Sequence, residues 1–312
     1  MLREFRRSDA RAFFDLLRRH FPEEDELLRY RPDAFDEVVR RVFRPDVRLV
    51  LRLLNALRHP IIDFFVIEED GRVAATAILT FTERAGYVST VMVDTPFRRR
   101  GYAKRLLAAC AAATRRAGRP YLVLDVLTTN EGALALYRSL GYAHVREVAY
   151  LVADLPAAPA PAVPCRSVRP MRRRDASALE AIAVGALPAP VARVLPVERK
   201  AFFVPPLVAM GLVSETQAWV IDRGHGAEGF LRATVSGATD SGHFSQPLLA
   251  PSVPADLAAE LVATGVAWLR SNGKGRVVVE VPGHNTAGRE ALEGGGFHEA
   301  FALETLARSS DA

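Results

Sequence analysis

Cysteine and lysine are scarce in this chain. Two cysteines in 312 residues, Cys110 and Cys165, are too few for a disulfide framework or a zinc ribbon. Only three of the 41 basic residues are lysine (Lys104, Lys200 and Lys274), and many of the arginines stand among acids. The net charge of +5 therefore forms no basic stripe interleaved with aromatics, and nucleic acid is not an expected partner. The seven histidines are scattered, with no pair at helical ligand spacing, so no metal is expected. No uninterrupted apolar run reaches the ~18 residues of a membrane span, which argues against a membrane partner. Met1-Leu-Arg-Glu-Phe-Arg-Arg-Ser-Asp turns into an amphipathic helical pattern rather than a secretory leader, so a cytoplasmic protein is expected. What the chain does have is core-building material, at 49% hydrophobic and 25% charged residues.

Four prolines punctuate Asp154-Leu-Pro-Ala-Ala-Pro-Ala-Pro-Ala-Val-Pro-Cys165, which rules out helix or central strand and reads as a stiff linker. The flanks repeat one another. Asp125-Val126, Asn130, Gly141 and Tyr142 match Glu280-Val281, Asn285, Gly296 and Phe297 at a constant offset of 155. Near the start of each flank, Arg3, Arg6, Arg7 and Asp9 match Arg169, Arg172, Arg173 and Asp175 at an offset of 166. A repeat this long is a duplicated domain rather than a solenoid. The expected organisation is a domain over 1–154, a linker over 155–165 and a second domain over 166–312.

Hydrophobic periodicity predicts, in the first copy, a strand at 2–6 and helices at 9–19, 34–44 and 47–57. Strands at 63–69, 72–82 and 86–94 follow, then a helix at 101–117 that stops at Gly118-Arg119-Pro120. A strand at 121–127, a helix at 131–139 and strands around 142–153 complete it. The second copy runs in parallel: strand 166–171, helix 174–184 and strands 217–222, 227–236 and 241–249. Helix 254–272, strand 276–282, helix 286–293 and strand 297–307 end it. Mixed strands with interleaved helices give an α/β (α+β) fold, a sheet flanked by helices in each copy.

The chemistry concentrates at Val91-Met-Val-Asp-Thr-Pro-Phe-Arg-Arg-Arg-Gly-Tyr-Ala103. Here an apolar strand (Val91, Met92, Val93) runs through a turn into Arg98, Arg99, Arg100, Gly101, Tyr102 and Ala103, and on into the helix beginning near Lys104. Such a strand–loop–helix unit aims free backbone N–H groups and the positive helix end at one point, an anion site suited to a pyrophosphate. Gly101 has no Cβ to hold a ligand away, and Ala103 keeps the first turn slim. The pattern is neither Gly-x-Gly-x-x-Gly nor the Walker loop. Arg98-x-x-Gly101-x-Ala103 resembles the acetyl-coenzyme A loop of the GCN5-related N-acetyltransferase (GNAT) superfamily, whose pattern is Arg/Gln-x-x-Gly-x-Gly/Ala.

A second block, Asn130-x-x-Ala133-x-x-Leu136-Tyr137-x-x-x-Gly141-Tyr142, carries the same resemblance, which covers residues 60–145. The resemblance implies two tandem acyl-CoA N-acyltransferase-like domains, each with a mixed, mostly antiparallel sheet, and acetyl-CoA as co-substrate. It implies that Asn130 bonds the pantetheine, that Ala133 packs by it, and that Tyr137 sets its hydroxyl at the sulfur. There a weak acid can protonate the departing thiolate. It also implies backbone contacts from Val91, Met92 and Val93 to the pantetheine, as an added strand makes. The family's strand carboxylate is missing from Tyr87-Val-Ser-Thr-Val-Met-Val93, so the base is open between a water held by Ser89, Thr90 or Tyr87 and the acids Glu83 and Asp125. The acidic stretch Pro22-Glu-Glu-Asp-Glu26 offers attraction for a cationic amine, or only a solvated helix turn.

The second copy lacks this chemistry. Pro247-Leu-Leu-Ala-Pro-Ser-Val-Pro-Ala-Asp256 stands where the loop should be, with prolines removing N–H groups, and Leu292 replaces Tyr137. The expectation is an N-acetyltransferase active in its N-terminal copy, moving acetyl (or short acyl) to a primary amine, with a degenerate C-terminal copy in support. The acceptor is a small molecule or a protein or peptide amine, and a monomer is plausible. The competing reading is an acyl-CoA sensor or scaffold without turnover.

Overall fold

The computed structural model describes residues 1–20, 22, 62–155, 167–203, 215–237 and 239–311. The helices expected at 34–44 and 47–57, most of the linker and the acids at 23–26 lie outside these residues. The first repeat contains β1 (Leu2–Glu4), α1 (Ala10–His20), β2 (Ile62–Glu69), β3 (Arg72–Phe81) and β4 (Ala85–Val93). It continues with α2 (Tyr102–Arg116), β5 (Tyr121–Leu127), α3 (Glu131–Ser139) and β6 (Ala143–Asp154). The second contains β7 (Val168–Pro170), α4 (Ala176–Ala186), α5 (Ala189–Val194), β8 (Glu215–Asp222), β9 (Ala227–Val235) and β10 (Ser241–Phe244). It ends with β11 (Leu248–Leu249), α6 (Ala255–Ser271), β12 (Arg276–Pro282), α7 (Thr286–Gly294) and β13 (His298–Ser309). Two details depart from expectation. The strand expected over 241–249 is broken into β10 and β11 around Pro247, which has no N–H for the ladder. The short α5 was not expected; Pro188 and Pro190 suit its first turn.

All described strands join one sheet, in the order β1-β2-β3-β4-β5-β13-β6-β12-β10-β9-β8-β7, with β11 on β9. Among the described strands only β4–β5 and β10–β12 pair in parallel. The repeats exchange their last strands. β13 lies between β5 and β6, with Thr305 opposite Asp125 on one side and Arg146 on the other. β6 in turn pairs with β12, Tyr150 opposite Glu280. Each repeat thus completes the other's sheet, and the linker separates the repeats in sequence without separating them in the sheet.

Alternation along the strands decides which face each side chain takes. From β5, Leu122, Leu124 and Val126 join Leu106, Leu107 and Cys110 of α2 in one core, while Val123 turns to Ala85, Ala307 and Val194 of α5. Ala149 and Leu151 of β6, with Val277, Val279 and Val281 of β12, pack on α6 in a second core. Helices α2, α3, α6 and α7 therefore cover one face, and α1, α4 and α5 the other. Gly86 lets α2 lie against β4, since a Cβ there would sit 2.1 Å from Thr114 Oγ1.

The repeated Arg…Asp signature bolts strand to helix in both copies. Arg3 donates to Asp9 (2.6 and 2.8 Å) and Glu68 (2.6 Å); Arg169 donates to Asp175 (2.8 Å for both bonds) and Asp222 (2.7 and 3.0 Å). The Arg169 guanidinium and the Gly224 N–H pull Asp222 from 3.8 to about 2. A carboxyl lowered on folding adds stability that is complete above its unfolded value and fades as pH falls through the folded one. Asp222→Asn should therefore lower Tm at pH 7, with the gap from the parent chain closing between pH 4 and about pH 2. A gap unchanged at pH 2 in thermal melts would rule this pairing out as the source.

Candidate active site

β4 and β5 pair only from Ala85↔Tyr121 to Val88↔Leu124, yet β4 runs on to Val93 against β3. The cause is a bulge. Ile78 faces Thr90 and the next residue, Leu79, faces Val88, leaving Ser89 as an extra residue on β4. Its effect is visible in the packing, because Val88 and Val91 both reach the α2 core, three residues apart, whereas Met92 packs with α1. Past the bulge β4 bends from β5 and opens a wedge flanked by the backbone of residues 89–93. Ser89 is exposed there, and Thr90 Oγ1 is buried without a partner.

The loop that follows is held in an unusual backbone path. Asp94 caps a 3-10 turn over Thr95–Phe97 by accepting from Thr95 N (2.9 Å). Arg99 and Gly101 then take positive φ values of 64° and 80°, on either side of Arg100, before α2 begins at Tyr102. A Cβ on Gly101 would meet nothing within 4 Å, so glycine answers the φ requirement and leaves the outer side of the loop open. Turns of this kind point successive N–H groups into a concavity that suits an anion.

The arginine run divides into two jobs. Arg100 donates to Glu69 (2.9 Å), as does the Tyr102 hydroxyl, and Arg98 bonds Val93 O (3.4 Å) and His20 Nδ1 (3.0 Å). Burial and the neighbouring Arg98 and Arg19 lower the pKa of His20, so its neutral ring accepts the Arg98 bond. These contacts tie the loop to α1 and β2. Arg99 and Lys104 are exposed beside the first turn of α2.

Asn130 caps α3 by accepting from Ala133 N (3.1 Å), and α3 carries Tyr137 into the core shared with α2 and β5, with only 7% of its surface exposed. Burial pushes the Tyr137 phenol up to about 12. Its ring lies 5.8 Å from that of Tyr142, behind Gly141 at φ 82°.

On the other face, where the wedge opens, the Tyr87 hydroxyl donates to Asp125, and Thr305 Oγ1 donates to the second carboxylate oxygen (2.6 Å). Burial and Asp125 hold the Tyr87 phenol well above its ordinary value. Thr305 is 180 positions from Asp125 and carries no local signal; only the exchange of β13 brings it here. Glu83 sits elsewhere. It lies in the turn before β4, where β4 and β5 are still paired, bonding Glu198 through its N–H (2.6 Å) and Arg119 through its C=O (2.7 Å). At ~3.3 Å per residue, Glu83 is roughly 20 Å of strand from Ser89.

The second repeat closes the corresponding wedge. Asn285 donates to Pro247 O (2.8 Å) and Gln246 Oε1 (3.0 Å) across it while capping α7. A Cβ on Gly288 would lie 2.7 Å from Pro247 O, so α7 presses directly on the gap. α6 starts at Ala255, behind Pro254, and puts Asp256 in its first turn, where an anion would be repelled.

Residues 12–142 match the Acetyltransferase (GNAT) family. No curated protein matches the sequence. Among solved structures, a GCN5-related N-acetyltransferase from Sphaerobacter thermophilus superposes with TM-score 0.64 at 17% identity, covering 99% of this chain and 95% of that one. A tandem GNAT protein from the clavulanic acid biosynthesis pathway gives 0.55 at 16% identity, over 83% and 87% of the two chains. A putative acetyltransferase from Pyrococcus horikoshii gives 0.58 at 13% identity, over 99% and 89%. At these identities the likeness is one of fold, and it extends through both repeats. Residues of the first repeat thus match the Acetyltransferase (GNAT) family, and the chain as a whole shares the fold of GNAT proteins, a tandem one included.

Proposed function

We propose that the chain transfers an acetyl or short acyl group from acetyl-CoA to a primary amine, in the wedge of the first repeat. The observation that carries this reading is the bulge at Ser89, which frees the backbone of Val91, Met92 and Val93 beside a loop built for a pyrophosphate. Arg99, Lys104 and the N–H groups around Gly101 receive the phosphates, while Arg98, Arg100 and Tyr102 hold the loop in shape. Asn130 works through the α3 cap that it makes. The thioester lies across the wedge and the amine approaches from the Asp125 face. The amine nitrogen bonds to the thioester carbon and loses its proton toward the Asp125 carboxylate, through Ser89 or a water beside it. The C–S bond breaks, and Tyr137 protonates the thiolate. Glu83 has no part in this scheme because of its distance along β4.

With one of the two hydroxyls turned to accept from the new amide N–H, Asp125→Asn keeps the shape while removing the base. Its kcat/KM for the amine should fall by about 10²–10⁴-fold, with coenzyme affinity unchanged, as loss of a positioned proton acceptor implies. A fall of less than about 3-fold in a thiol-release assay would remove Asp125 from the scheme. Tight acetyl-CoA binding with no thiol released by any member of an amine panel would favour the sensor instead.

A further inference from the structure

The second repeat has a cavity that this reaction does not use. It lies where β10 and β12 stop pairing after Phe244↔Val279, and its wedge is shut on the α6–α7 face by Asn285 and Gly288. The other face stays open. There the cavity occupies about 290 Å3 between Arg146 and Val148 of β6, His243 and Phe244 of β10, and Val278 and Glu280 of β12. That exceeds the ~150 Å3 that suffices for benzene and falls just short of the ~300 Å3 at which drug-sized sites begin. A small molecule fits; a coenzyme does not.

Two polar groups decide what kind. The Glu280 carboxylate accepts from the Tyr150 hydroxyl (2.8 Å) and remains reachable from solvent through the cavity mouth. Desolvation by the surrounding protein raises its pKa, and a cationic group bound beside it would favour the charged form. Arg146 supplies the opposite need. It lines the cavity and carries a permanent positive charge. A phosphate on Arg146 would bring two or more charges beside Glu280, whereas a single carboxylate balances the site. The remaining walls carry no fixed charge: Ser245 and Gln246 are neutral polar groups, His243 is kept neutral by burial and Lys274, and the rest are apolar.

We propose that this cavity binds a free α-amino acid, its ammonium group on Glu280 and its carboxylate on Arg146, with the side chain against Val148 and Val278. It is a binding site without chemistry, because Asn285 and Pro247 seal it from any coenzyme. It shares no lining residue with the Tyr87–Asp125–Thr305 group of the first repeat but adjoins it, since Arg146 faces Thr305, which donates to Asp125, and the Asp125 charge is felt at Glu280.

The test is isothermal titration of the full-length chain, without coenzyme, against the proteinogenic amino acids. At least one should bind at a single site, and its methyl ester and its N-acetyl derivative should each bind at least about 10-fold more weakly. Glu280→Gln should weaken that amino acid by at least about 10-fold, while Asp125→Asn leaves it within about 2-fold. Absence of binding up to about 10 mM overturns the proposal, as does equal binding of the two derivatives. Loss in Asp125→Asn with retention in Glu280→Gln overturns it too, by moving the ligand to the first repeat. The derivative comparison uses the unaltered chain, so it decides even where Glu280→Gln does not fold. None of these readouts depends on acyl transfer.

Discussion

Tyr137→Phe should lower kcat by about 10²–10⁴-fold while leaving the Kd of acetyl-CoA within about 2-fold, because it removes a proton donor and keeps the packed ring. The ring is what α3 needs for its core position, with 7% of the residue exposed, so the fold should survive the loss of one oxygen. The hydroxyl acts only when the C–S bond breaks and the sulfur needs a proton, so binding should not register its loss. The pH dependence separates this role from a structural one. Burial pushes the phenol up to about 12, so the unaltered chain keeps its donor protonated throughout the working range. A free thiol has a pKa near ~8.5, and above it the departing sulfur can leave as a stable anion. The defect of the Phe variant should therefore shrink as pH rises past about 9. A defect constant from pH 7 to 10, or one of less than about 3-fold, would take Tyr137 out of the acid role.

Gly101→Glu should abolish measurable coenzyme binding, with Kd weakened by at least about 100-fold. Two effects add. At φ 80° a side chain on residue 101 costs ~1–2 kcal/mol of backbone strain. The added carboxylate also brings a like charge to the mouth of the loop, where at ~4 Å from a phosphate it costs about 4 kcal/mol at the dielectric of a protein surface. Gly101→Ala separates the two, since it brings the strain without the charge and should weaken binding by only about 10-fold. A Cβ there meets nothing within 4 Å, so neither variant should disturb the packing of α2. Normal binding of acetyl-CoA by Gly101→Glu in a titration would show that the loop is not its phosphate site.

Much of this arrangement was legible along the chain because it depends on short-range physics. The alternation of Tyr121-Leu-Val-Leu-Asp-Val-Leu127 assigns Leu122, Leu124 and Val126 to one face, and the same residues meet α2. Gly118 ends α2 where a positive φ is required, and Asn130 and Asn285 each cap the helix that follows. The arginine run was legible only as a run. Which of its members face outward depends on Glu69 and His20, which lie far away in sequence and meet Arg98 and Arg100 through the fold. Glu83 is a plausible acid by its nearness to β4, and only the fold shows that it stands before the paired end of the strand. Thr305 could not be read at all, because nothing local distinguishes a threonine on a terminal strand.

The sequence by itself marked the repeat, most of the described strands and helices, and the glycine-containing loop after β4 that the second repeat lacks. These follow from periodicity, from prolines without an N–H and from glycines at positive φ, all properties of a few neighbouring residues. Only the tertiary structure decided that β6 and β13 change places, and that Tyr87, Asp125 and Thr305 converge. It alone decided that Asn285 shuts one face of the second wedge and leaves a cavity on the other. Strand pairing is set by backbone hydrogen bonds, which any sufficiently apolar strand can offer to either neighbour. The choice between the two partners rests on burial over the whole sheet, which no single segment encodes.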